Sequence, residues 1–100
     1  MRYTFTDEDG GTHEFVAVSV VVHSTRGARS LRWYEGTLIK TVDGTWACQI
    51  LGKSQVEGET TRVVLHTART DRELTAKLGQ TPVAQKLYQL ARVDNVEWLE

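Results

Sequence analysis

Apolar and polar residues alternate over the first two-thirds of the chain, and the period then lengthens to that of a helix. Arg2 to Thr6 sets Tyr3 and Phe5 against Arg2, Thr4 and Thr6, which predicts a half-buried strand. Asp9-Gly10-Gly11 supplies turn residues, and Thr12 begins the predicted return strand. From Glu14 to Ser24 the even positions Val16, Val18, Val20 and Val22 predict one unbroken apolar face, and so many valines, stiff at χ1, favour strand over helix. Thr25 to Ser30 breaks the pattern and reads as an exposed connection. Leu31 to Lys40 alternates again, with Leu31, Trp33 and Ile39 on one face and Tyr34 and Leu38 on the other. Asp43-Gly44 is a two-residue hairpin signal, after which Thr45 to Leu51 returns with Trp46, Cys48 and Ile50 on a common face.

Gly52 to Glu59 reads as a loop anchored by Val56, and Thr60 to Thr67 as a strand in which Val63 and Leu65 share a face. The period then changes. Thr70-x-x-Glu73 is a capping box, Leu74 and Leu78 lie one helical turn apart, and Gly79 stands where a helix end takes a left-handed residue. Thr81-Pro82 opens a second helix whose apolar positions Val83, Leu87, Leu90 and Ala91 recur with helical spacing. The tail from Val93 to Glu100 alternates Val96 and Trp98 against Glu97, the pattern of a last edge strand or a docked extension. The expected architecture is α+β: an antiparallel β-sheet of about five strands, meander-like, with two C-terminal helices packed on it as one domain over residues 1–100.

Composition narrows the chemistry more than the fold. The chain is 40% hydrophobic and 25% charged with a net charge of −1, values of an ordered globular protein with no global pull toward nucleic acid or anionic membrane. Cys48 is the single cysteine, so neither an intramolecular disulfide nor a tetrahedral thiolate zinc site is expected, and a reducing, cytoplasmic location fits. The longest apolar run, around Val20 to Val22, falls far short of the roughly 20 residues needed to cross a bilayer, and Arg2-Tyr3-Thr4 does not open an export signal. Asp7-Glu8-Asp9 offers too few oxygen ligands at regular offsets for calcium. With no phosphate-binding loop, dinucleotide fingerprint or hydrolase signature in the chain, no cofactor is expected.

The most suggestive cluster is His23, Arg26, Arg29 and Arg32, placed just before Trp33 and Tyr34. It offers donors for an anion and rings for stacking, so His23, Arg26, Arg29, Arg32 and Tyr34 are the candidate binding residues. The plainer reading is a solvated loop, with Trp33 in the core beside Ile39. The helix pair 71–92 invites comparison with a helix-turn-helix through Glu73-Leu74-Thr75-Ala76-Lys77-Leu78-Gly79. However, Thr75, Gln80 and Gln85 stand where that motif wants small or apolar residues, and packing on the sheet is the alternative. Cys48 and His66 form a nucleophile and base only if their strands are neighbours in the right register. The alternative is a buried, inert thiol.

The stretch from Arg32 to Trp46 carries Trp33, Glu35, Leu38, Lys40, Thr41, Gly44 and Trp46. In this it resembles a hairpin of small uncharacterised proteins of actinobacterial phages, plasmids and integrative elements, which share a similar proline-initiated C-terminal helix. The resemblance brings no activity with it and implies a phage or mobile-element accessory protein. The expected function is a non-enzymatic small binding module contacting a host macromolecule, with a protein as partner. The alternatives are a nucleic-acid-binding regulator using loop 23–32 or helices 71–92, and an enzyme using Cys48 or His66. Two sheet edges also leave room for a homodimer.

Overall fold

The computed structural model describes residues 1–93. Strands β1 (Arg2–Thr6), β2 (Thr12–Ser24), β3 (Arg32–Thr41), β4 (Trp46–Ser54) and β5 (Arg62–Ala68) form one antiparallel sheet in sequence order. Helices α1 (Asp71–Leu78) and α2 (Pro82–Ala91) follow. The fold is therefore an α+β meander. Among the described residues no helix is long and apolar enough to cross a membrane.

The β1–β2 and β3–β4 connections share one geometry. Asp7 N donates to Gly11 O at 2.8 Å and Gly10 N to Asp7 O at 3.1 Å, while Thr41 N donates to Thr45 O at 2.9 Å and Gly44 N to Thr41 O at 3.0 Å. Gly10 and Gly44 carry the positive φ of +83° and +87°, whereas Asp9 and Asp43 do not share it. A two-residue type I′ loop requires positive φ at both central positions. Each loop is instead a three-residue turn closed by a left-handed glycine, which corrects the two-residue reading of Asp43-Gly44. Aspartates pin both loops: Asp7 accepts from the amides of Asp9 and Gly11, and Asp43 from the Thr45 amide and the hydroxyls of Thr41 and Thr45.

β2 departs from its simple alternation. Ala17 lies opposite Thr41 and Ser19 opposite Lys40, so Val18 is the extra residue of a bulge. Because side chains alternate with a period of two, one inserted residue exchanges the faces of everything beyond it. Phe15 and Ala17 before the bulge thus share a face with Val20 after it, while Val21 packs toward the helices. The predicted unbroken valine face does not exist, and Val18 and Val22 are left 64% and 62% exposed.

The sheet carries a core on each side. On one, Leu38, Trp46, Cys48 and Ala68 meet Leu74 and Leu78 of α1 and Val83, Ala84, Leu87 and Tyr88 of α2. On the other, Phe5, Ala17, Ile39 and Ala47 gather Tyr3, Phe15, Val20 and Leu65 as the sheet curls. The curl brings β1 toward β5, and Gln49 Nε2 donates to Thr6 O at 2.9 Å across the gap. α2 comes close to β3 over Gly36, where a Cβ would lie 2.7 Å from Leu87 Cδ1 and 3.1 Å from Val83 Cγ2.

Both helix starts are capped by threonine. Thr70 Oγ accepts from Glu73 N at 3.1 Å and Thr81 Oγ from Ala84 N at 3.4 Å, and the Glu73 carboxylate reaches back to the Arg69 amide. The pair packs on the sheet, with Lys77 Nζ on Thr67 O at 2.7 Å and Trp46 Nε1 on Asp71 Oδ1 at 2.8 Å. α2 buries Val83, Ala84, Leu87 and Tyr88 while Leu90 faces out, and Lys86 is the basic residue within that helix. Tyr88 is buried in the apolar cluster, and its hydroxyl is satisfied there by donating to Gly79 O at 2.7 Å, which ties α2 to the end of α1. Val93 is buried beside the helices. The remainder of the predicted tail strand, 94–100, lies outside the described residues.

Candidate functional site

Strand alternation divides the basic cluster. Trp33 and Glu35 point to the face away from the helices, Arg32 and Tyr34 to the helix-bearing face. Arg26 follows Trp33, its guanidinium lying 4.4 Å from the centroid of that buried ring. The Trp33 indole donates to Glu35 Oε2 at 2.8 Å, and Lys53 lies 3.2 Å from Glu35 Oε1. The indole N–H first, and Lys53 after it, hold the Glu35 carboxyl below its ordinary range. Arg29 is exposed on the loop. His23 sits half-buried opposite Gly36, on the side that α2 covers. Of the five predicted residues, Arg32 and Tyr34 therefore meet in one place, and the others do not join them.

That place is a groove of about 860 Å³ on the helix-bearing face, beyond the helices. Register explains its composition: Tyr34 pairs with Gly52, Gly52 with Arg62 and Ile50 with Val64. Cross-strand partners share a face. Tyr34, Ile50, Gly52 and Val64 make the floor, while Arg32, Arg62 and the loop around Glu59 make the wall. Gly52, Lys53 and Ser54 belong to β4 rather than to the predicted loop. The Tyr34 ring supplies the cover that Gly52 lacks, lying 3.6 Å from where its Cβ would be. Tyr34 and Val64 remain 56% and 44% exposed.

The wall is held by one carboxylate. Arg32 Nε donates to Glu59 Oε1 at 2.9 Å and its Nη2 to Oε2 at 2.7 Å, a forked pairing to which the Ser54 hydroxyl adds a third bond. Arg32, with Ser54 behind it, lowers the Glu59 pKa from 4.5 to about 2, and Arg62 adds to the shift through its charge. A carboxyl whose pKa falls on folding stabilises the fold above its unfolded pKa, and that contribution is lost as pH drops through the folded value. Thermal melts of wild type should accordingly fall more steeply than those of Glu59→Gln between pH 4.5 and about pH 2. Parallel curves over that window would refute the assignment.

Arg62, Val64, Gly52 and Glu59 were not singled out from sequence. Reading Val63 and Leu65 as a buried face already places Arg62 and Val64 on the other, but their meeting with Tyr34 depends on two strand registers.

Cys48 and His66 do lie opposite each other on β4 and β5, the register that a nucleophile and base would need. The thiol, however, has no solvent exposure, and burial pushes its pKa up to about 12. Protonated and enclosed, it lacks the thiolate that such chemistry uses. A thiol–disulfide reagent should modify Cys48 only at the rate at which the fold opens. Modification within seconds under native conditions would contradict this. Among the described residues no three histidine, cysteine or carboxylate side chains gather as a metal site. No protein family, curated protein or solved structure matches this chain.

Proposed function

We propose that the chain is a small non-catalytic binding module of the cytoplasm whose groove over β3, β4 and β5 receives a protein partner. The observation that carries this reading is the composition of the groove. An exposed tyrosine face, a half-exposed valine and two arginines converge there from strands far apart in sequence. Aromatic and arginine side chains are the residue types on which interface energy concentrates. The resemblance of the Arg32 to Trp46 hairpin to mobile-element proteins supports an accessory protein that contacts a host macromolecule.

The test is capture of partners from host lysate with tagged wild type and tagged Tyr34→Ala, each with and without nuclease, followed by mass spectrometry. A nuclease-resistant protein recovered by wild type and lost by the variant supports the reading. Recovery of nucleic acid alone would replace it with the regulator. A second copy of this chain, recovered as a dimer that the variant dissociates, would make the groove a homodimer surface.

A further inference from the structure

We infer that the groove recognises a short acidic segment of its partner, one of whose carboxylates takes the place that Glu59 holds against Arg32 while an apolar or aromatic side chain lies on Tyr34. This rests on the reading of the groove as a protein-binding surface and adds the chemistry of what enters it. The Arg32–Glu59 fork shows that the wall already accommodates a carboxylate, held by the Nε and Nη2 edge of the guanidinium. The Arg32 side chain is 66% exposed, so a ligand carboxylate can reach its guanidinium and compete with Glu59 for it.

The charge count of the groove is unbalanced. Arg62 stands close enough to act on the Glu59 charge, yet no carboxylate among the described residues pairs with it. Lys53, which also lines the groove, is paired with Glu35, so two guanidinium groups face the single carboxylate of Glu59. A ligand carboxylate that takes Arg32, or one that takes Arg62 beside it, meets positive charge that folding has left unmatched. Beneath them, Tyr34, Ile50 and Val64 form an apolar floor only partly covered by the fold.

Spaced carboxylates among apolar side chains fit this surface better than a nucleic-acid strand does. Along a duplex each strand carries one phosphate charge about every 3.4 Å. Such a continuous line of charge would run past Glu59 and would leave the apolar floor of Tyr34, Ile50 and Val64 unused.

The experiment is selection of a displayed random-peptide library on full-length wild type, on Tyr34→Ala and on Arg62→Gln, with folding of each checked by circular dichroism. Peptides that depend on Tyr34 and are enriched in Asp and Glu support the inference. Their affinity should fall about tenfold in Arg62→Gln and rise several-fold in Glu59→Gln, where the internal competitor is gone. Tyr34-dependent peptides of neutral or basic composition would overturn the inference and leave the protein-binding reading standing, and so would acidic peptides weakened by Glu59→Gln. The absence of any Tyr34-dependent peptide would overturn both. So would salt-sensitive binding of an oligothymidylate probe in place of peptide.

Discussion

Leu87→Ala should destabilise the fold by about 3 kcal/mol, within the range of roughly 2 to 5 kcal/mol for emptying a leucine site in a core. Leu87 is fully buried between α2 and β3, and its Cδ1 fills the space left by the missing side chain of Gly36. Domains of this size are stabilised by only about 5 to 15 kcal/mol, so the loss would be visible in a urea titration followed by tryptophan fluorescence. The same contact makes a second prediction from the side of the strand. Gly36→Ala should cost about 1 to 3 kcal/mol because the new methyl group meets a leucine enclosed on all sides. In the double variant the methyl group occupies part of the cavity, and the two penalties should sum to less than their separate values. Strict additivity would mean that α2 does not rest on Gly36.

The second large effect is on binding and leaves stability nearly unchanged. Tyr34→Ala should weaken the captured partner by about 30-fold or more, the loss typical of an aromatic anchor at the centre of an interface. Tyr34→Phe should retain most of the affinity, since the ring and its packing on Gly52 survive. The arginines of the predicted cluster should separate in the same titration. Arg32→Ala weakens binding because Arg32 lines the groove, whereas Arg29→Ala is silent. Arg26→Ala should alter the environment of Trp33 without changing affinity, because Arg26 lies on the other face of the sheet. Isothermal titration of the purified partner, with melting temperatures measured in parallel, distinguishes these outcomes. Equal losses for Arg26, Arg29 and Arg32 would restore the loop as a single binding element and sink the groove.

What the sequence by itself determined was local. Turn glycines at positions 10 and 44, threonine caps at 70 and 81, proline at the first position of α2 and the change of period after Thr67 mark where each element begins and ends. They can do so because a cap or a positive φ depends on residues a few positions apart. Leu38, Cys48 and Leu74 could be read as core from alternation and helical spacing for the same reason. Other features required contacts between distant segments. The Val18 bulge is visible only in how β2 pairs with β3, and Gly52 is seen to continue β4 only through its pairing with Tyr34 on one side and Arg62 on the other. The face of α2 that meets the sheet carries Val83, Ala84, Leu87 and Tyr88, whose hydroxyl is satisfied by Gly79 O, while Leu90 faces out. The division of the arginine cluster follows from Arg26 folding back over Trp33 while strand alternation turns Arg32 to the opposite face. The groove follows from register. Tyr34, Gly52 and Arg62 are far apart along the chain, and a shift of one residue between β4 and β5 would send Arg62 to the opposite face, so only the tertiary structure decides that they meet.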